Sequence, residues 1–269
     1  MARRLRLALL AGLLFRAGAL GAAPVVAAWS FDEPAATDVF ADAGPRGLNL
    51  RRGAGSDVVA GSQGNALRPM IAASGDRAAG AELSGPAVNA AAAAGDLSPG
   101  ARRWSLSAVL RLEVEATTEG VLYELAARPP GVADLVFSVA VTPAENAFVV
   151  RCLGRAAGVA SDASAVRIAF PDPGGPPHRE AISCTIFLVA SEPLPRGRWI
   201  RTELEFAGGK TLTLRVDGTP VAAATVNGGL EPMPGEFPAR LAVGADRAGR
   251  QPFPGLIDEL SIRTDPDER

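Results

Sequence analysis

Two pairs of glutamates, Glu113 with Glu115 and Glu203 with Glu205, are spaced so that on an extended strand both members project from one face. Retaining glycoside hydrolysis uses two carboxyls about 5 Å apart, one as nucleophile and one as acid, inside a cleft that raises the acid's pKa. On an outward face the same spacing gives two solvated charges, and nothing in the sequence encloses either pair. No catalytic residue is therefore assigned. His178, the single histidine, sits in P-P-H-R among prolines and reads as an exposed loop residue. One histidine without cysteine or carboxylate company makes no zinc site, and no nucleophile elbow is present for Ser-His chemistry. Cys152 and Cys184 are the only thiols. Each lies in an apolar, strand-like run, V-V-R-C-L or I-S-C-T-I-F-L-V, on the face shared with Phe148 and Val150 or with Ile182 and Ile186. In an oxidising compartment, two inward cysteines on neighbouring strands read equally as a disulfide or as two buried free thiols. Spacing does not choose between these.

The elements that must carry these groups are strands. Trp199–Gly218, W-I-R-T-E-L-E-F-A-G-G-K-T-L-T-L-R-V-D-G, is two alternating runs joined at Gly208 and Gly209. From Trp104 onward Leu106, Ala108, Leu110, Leu112 and Val114 point one way, while Ser107, Arg111, Glu113 and Glu115 point the other. Further strands are expected at Val25–Phe31, 66–72, Ala81–Leu83, Gly120–Ala127, Leu135–Thr142, Ala147–Leu153, 165–170, 182–190, Thr219–Val226, Ala239–Val243 and Leu256–Arg263. Prolines 129, 130, 143, 171, 173, 176 and 177 fall between them, where they interrupt no ladder. Val88–Ala94, V-N-A-A-A-A-A, reads either as a short helical turn or as a small-residue loop. Half-buried strands at this density require two sheets whose apolar faces meet, an all-β antiparallel sandwich. No linker or repeat divides it, so residues 24–263 form one domain, followed by a tail at 264–269.

Residues 1–23 stand apart. Arg3, Arg4 and Arg6 precede the apolar run Leu7–Phe15, and small residues follow to Ala23, the pattern of a secretory signal peptide. Its removal takes four arginines and leaves 23 basic against 29 acidic residues. A mildly acidic chain with scattered arginines offers no basic face for nucleic acid. No later segment is apolar for long enough to span a membrane. The expected location is secreted, periplasmic or cell surface.

Several stretches in order resemble the laminin G-like, concanavalin A-like lectin/glucanase superfamily, in the form common in secreted bacterial proteins. W-S-F-D-E at Trp29–Glu33 is similar to its opening W-x-F-D-E, and A-D-A-G at Ala41–Gly44 to the turn that follows. G-S-Q-G-N-A-L at Gly61–Leu67 resembles G-x-x-G-x-A-L, and W-S-L-S-A-V-L at Trp104–Leu110 resembles its F-T-I-S-A-W-V strand. The hairpin from Arg198 to Val221 resembles the W-H-H-V hairpin ending in V-D-G, and Arg240–Asp246 with Phe253–Ile262 its closing strands. The chain departs from the pattern at Val109, where tryptophan is frequent, and at Arg201, where histidine is.

The resemblance implies a two-sheet antiparallel jelly-roll β-sandwich and a non-enzymatic recognition or adhesion module, for a polysaccharide or a cell-surface protein. It also implies a structural calcium ion tying the opening segment to the last strand, with Asp258 in L-I-D-E as ligand and Asp32 in F-D-E as its neighbour. The alternatives are a glycan-processing enzyme, although the E-x-D-x-x-E strand motif of the glucanase branch is absent, and an architectural envelope component. The superfamily packs tryptophans into or beside its core, and Phe170 and Phe237, beside loops, read either as platforms for a sugar or, more commonly for such residues, as plugs of a barrel end.

Overall fold

The structure is a computed structural model of the chain, and it describes residues 23–53, 56–70, 81–83, 95–99, 103–127, 135–154, 166–169, 180–208, 210–226 and 239–265. Leader residues 1–22, residues 88–94, Phe170, His178 and Phe237 lie outside them.

Among the described residues seventeen strands follow one another: β1 (Val25–Trp29), β2 (Val39–Phe40), β3 (Leu50–Arg52), β4 (Asp57–Ala60), β5 (Asn65–Arg68) and β6 (Ala81–Leu83). Next come β7 (Trp104–Leu112), β8 (Gly120–Ala127), β9 (Leu135–Thr142), β10 (Ala147–Gly154), β11 (Val166–Ala169) and β12 (Glu180–Val189). The chain closes with β13 (Ile200–Ala207), β14 (Thr211–Val216), β15 (Thr219–Thr225), β16 (Ala239–Val243) and β17 (Gly255–Thr264). They form two antiparallel sheets. One runs β15-β14-β13-β7-β17-β5-β4, with β1 also on β17, and the other β11-β12-β10-β9-β8-β16-β6-β3-β2.

The expected alternation is what fills the space between the sheets. Leu106, Ala108, Leu110 and Leu112 of β7 face Tyr123 and Leu125 of β8 and Phe137, Val139 and Val141 of β9 in one continuous core. Trp104 meets Phe137 edge-on at 5.3 Å, and Phe137 meets Tyr123 at 6.1 Å, the geometry that the ring quadrupoles favour. Trp29 and Trp104 are buried and Trp199 half-buried. Buried Trp29 donates its indole N–H to the Leu48 carbonyl, and the Tyr123 hydroxyl donates to the Leu97 carbonyl.

A second, small apolar cluster lies on the far side of the other sheet, where Val121, Ala140 and Val149 stand in register across β8, β9 and β10. Glu119 bridges the rows on either side of it, accepting from Arg151 at 2.6 Å and from the Thr142 hydroxyl at 3.2 Å.

One strand ends earlier than its alternation. β7 stops at Leu112, because the Glu113 N–H turns to the Pro254 carbonyl and Ala116 N–H closes a turn onto Glu113. Val114 is consequently 62 % exposed, not inward. The opening segment is fixed by Asp42, whose Oδ1 accepts from the N–H groups of Ala28 and Gly44 and whose Oδ2 accepts from Leu48 N–H. β1 thereby lies along β17, with Val25 opposite Arg263 and Trp29 opposite Leu260. β17 continues through Thr264, one residue past the expected domain end.

Candidate functional site

The Asp258-Glu259 dipeptide sits at a β-bulge. The register between β17 and β7 slips between Asp258 and Leu260, and Glu259 takes a left-handed φ of 45°. An extra residue at this point sends the two carboxylates to different tasks.

Asp258 is 1 % exposed, and the turn between β4 and β5 closes over it. Its Oδ2 accepts from Ser62 N–H at 2.8 Å, from the Ser62 hydroxyl at 2.6 Å and from Gln63 N–H at 3.4 Å. Asp32 reaches the same turn from the opening segment, accepting from Asn65 N–H at 3.0 Å, while Asn65 Nδ2 donates to the carbonyls of Asp32 and Glu33. The glycines of G-S-Q-G-N make this approach feasible. A Cβ on Gly61 would lie 2.8 Å from Asp258 Oδ2, and one on Gly64, at φ +97°, would lie 2.0 Å from Asp32 Oδ1.

The structure thus brings both expected calcium residues to one turn, as acceptors for its donors. A hard cation needs oxygen ligands. Asp258 Oδ2 faces two N–H groups and a hydroxyl instead, so that atom does not fit a cation, and among the described residues no group of three His, Cys, Asp or Glu converges.

Glu259 points outward and takes Arg201 of β13 at 3.0 Å, a bridge that passes over Val109 of β7. It forms one wall of a shallow groove of about 470 Å³ on the outer face of the β7 sheet. Register explains the floor. Arg215, Glu203, Ser107, Ser261 and Ala28 stand side by side on β14, β13, β7, β17 and β1. Small side chains in the middle of that row leave a depression, and the longer residues around it raise the rim.

On the far side of the floor, Glu205 accepts from Arg103 at 2.6 Å and lies 3.9 Å from Arg215. Arg263 stands at the β1 end of the groove. Glu203 lines the groove between these bridges and makes no salt bridge with any described residue.

Glu205 is held by two arginines, and Glu113 and Glu115 lie beyond the end of β7 in an exposed turn, where Glu113 meets Arg68 at 3.4 Å. Cys152 and Cys184 are direct partners in the β10–β12 ladder. The groove itself was not legible in the sequence, because it arises from five strands whose neighbours are remote along the chain. The signal available was the pair of serines, Ser107 and Ser261, on outward strand positions.

Elsewhere, Glu124 of β8 is 8 % exposed, and burial raises its pKa against the lowering effect of the Arg247 N–H and charge.

No known protein-family profile matches the chain, and no curated protein matches it. Solved structures do. The binding domain of Paraclostridial Mosquitocidal Protein 1 superposes with a TM-score of 0.50 at 11 % identity, covering 90 % of this chain and 49 % of that one. The botulinum neurotoxin serotype G binding domain gives 0.51 at 10 % identity, covering 90 % and 48 %. Trypanosoma rangeli sialidase in complex with sialic acid gives 0.46 at 14 %, covering 91 % and 31 %. The chain spans about half the length of the two toxin binding domains. The likeness to the two binding domains shows a jelly-roll-like β-sandwich fold.

Proposed function

We propose that the chain is a non-enzymatic recognition module of the laminin G-like, concanavalin A-like type, exported by its leader to the periplasm or cell surface, where it binds polysaccharide in the groove over β7. The observation that carries this reading is the row of Arg215, Glu203, Ser107 and Ser261, walled by the Arg201–Glu259 bridge. Donors and acceptors alternate there at the strand spacing of about 4.8 Å, on the scale of one sugar ring. Glu203 supplies an acceptor for vicinal hydroxyls and the guanidinium groups supply planar donors. Ion pairs to Glu259 and Glu205 hold the guanidinium groups of Arg201 and Arg215 in place before a ligand arrives, which reduces the ordering cost of binding.

Among the described residues the groove has no exposed aromatic platform, since Trp29 is buried beneath it. That composition favours polar contacts of modest strength repeated along a polymer, with avidity from many sites.

Glycan-array binding by the secreted chain tests the proposal. Retention of polysaccharide that weakens at least tenfold in Glu203→Gln and Arg215→Ala, with no release of reducing ends, supports it. Release of reducing ends that Glu203→Gln or Glu113→Gln abolishes would establish a glycan-processing enzyme in its place. Stable capture of an envelope protein, indifferent to both groove variants, would establish an architectural role.

A further inference from the structure

The two cysteines stand 32 positions apart in the sequence, yet the fold sets them opposite one another. In the antiparallel β10–β12 ladder the register runs without interruption from Ala147 opposite Val189 to Gly154 opposite Ile182, and Cys152 falls against Cys184. Directly opposed residues in such a ladder have Cα atoms about 4.5–5.5 Å apart, inside the window of about 4.4–6.8 Å that a disulfide spans. Opposed residues also belong to the same face of the sheet. On β10 that face is the inner one: Cys152 is partly buried and packs against the core beside Phe148 and Val150. A thiol in that setting is a poor exposed nucleophile. A metal site would need more ligands than two thiols supply, and among the described residues no group of His, Cys, Asp and Glu provides them.

We propose that Cys152 and Cys184 form an intramolecular cross-strand disulfide that fastens β12 to β10. The chemistry is thiol–disulfide exchange with a disulfide donor of the export compartment, either a small-molecule disulfide or a disulfide oxidoreductase. One cysteine loses its proton and attacks a donor sulfur, and the donor's first thiol leaves. The second cysteine then attacks the mixed disulfide and the donor's second thiol leaves. The product is one S–S bond in the chain and two thiols on the reduced donor.

The fastener acts where the sheet needs it. Among the described residues, β12 is paired on its outer side by the short β11 only as far as Ser183, while its C-terminal half carries Phe187 and Val189 in exposed positions. The covalent link keeps β12 in register on its inner neighbour, so that this open half is not offered to other chains by fraying.

Thiol counting on the full chain, exported with its leader and denatured in alkylating reagent, tests this. The expected result is no adduct without reductant, two adducts after reduction, an intact mass lighter by two hydrogens, and one non-reduced peptide joining the segments around Cys152 and Cys184. Two adducts without reductant would overturn the proposal, and so would a non-reduced peptide joining two copies of one cysteine. The Cys152→Ser/Cys184→Ser double variant gives a second readout: its melting temperature should equal that of the reduced wild type and lie below that of the exported wild type. Equal melting temperatures for exported and reduced wild type would contradict a closed bridge.

Discussion

Replacing Asp258 by alanine tests whether the β4–β5 turn is anchored by a carboxylate or by a cation. The side chain is 1 % exposed, and its Oδ2 takes two short hydrogen bonds, at 2.6 and 2.8 Å, and one long one at 3.4 Å. A hydrogen bond to a charged partner contributes about 1.5–3 kcal/mol. The two short bonds sum to about 3–6 kcal/mol, the long one adding little. Ser62 and Gln63 are exposed, so water reaches the orphaned donors, and removal of a buried charge offsets part of the loss. A net loss of about 3 kcal/mol follows, which in a domain of this size lowers Tm by about 6–12 °C. Asp32→Ala, at an exposed position with one backbone bond, should cost less than about 1 kcal/mol. Asp258→Asn, which keeps an acceptor without charge, should fall between the two. Calorimetry in the presence of EDTA discriminates. The anchoring account requires that chelation leave the wild-type Tm unchanged. A fall of several degrees, restored by calcium and absent in Asp258→Ala, would refute it and establish the cation.

Four further outcomes are expected. Groove variants Glu203→Gln and Arg215→Ala should lose glycan retention while keeping the wild-type Tm, as read by array binding and calorimetry. Loss of the cross-strand disulfide, through reductant or double serine substitution, should lower stability by about 3–4 kcal/mol on chain-entropy grounds, measured by urea denaturation. Gly120→Ala places a Cβ 2.2 Å from the Pro252 carbonyl oxygen and 2.8 Å from Phe253 Cα, backbone that cannot yield. It should cost about 3 kcal/mol, whereas Gly218→Ala, with open space but φ +81°, should cost about 1 kcal/mol in the same assay. Glu124 has a folded-state pKa raised above its ordinary 4.5 by burial, so between those two values the native state holds more protons than the unfolded one. Stability therefore falls as pH rises through that window. Glu124→Gln should flatten this dependence in urea melts across pH 4–7.

Strands that form apolar runs bounded by turn residues were legible with close boundaries, even where, as in β8, both faces are buried. Gly120–Ala127, Leu135–Thr142 and Ala239–Val243 stand where the pattern places them. The short strands Val39–Phe40, Leu50–Arg52 and Asp57–Ala60 were not, because two to four residues hold no period and their pairing comes from neighbours already in the sheet. At Val114 the pattern outran the strand, since alternation does not register that Pro254 captures the next amide. The role of Asp258 was hidden for a different reason: its donors lie 196 positions earlier, and a carboxylate in L-I-D-E looks the same whether it faces amides or an ion. The groove required sheet order, which strand patterns do not contain, although its serines and charges were visible singly as outward positions.

The ladder between β1 and β17 joins the first strand made to the last. During vectorial synthesis, Val25–Trp29 therefore waits for nearly the whole chain before its partner exists, and the sandwich cannot close until Gly255–Thr264 has emerged. Such long-range pairing is intrinsically slow. A chain truncated before β17 would lose in one step the cover over β1, the neighbour of β7 and the seat of the β4–β5 turn. Closure of the sandwich thus waits on β17.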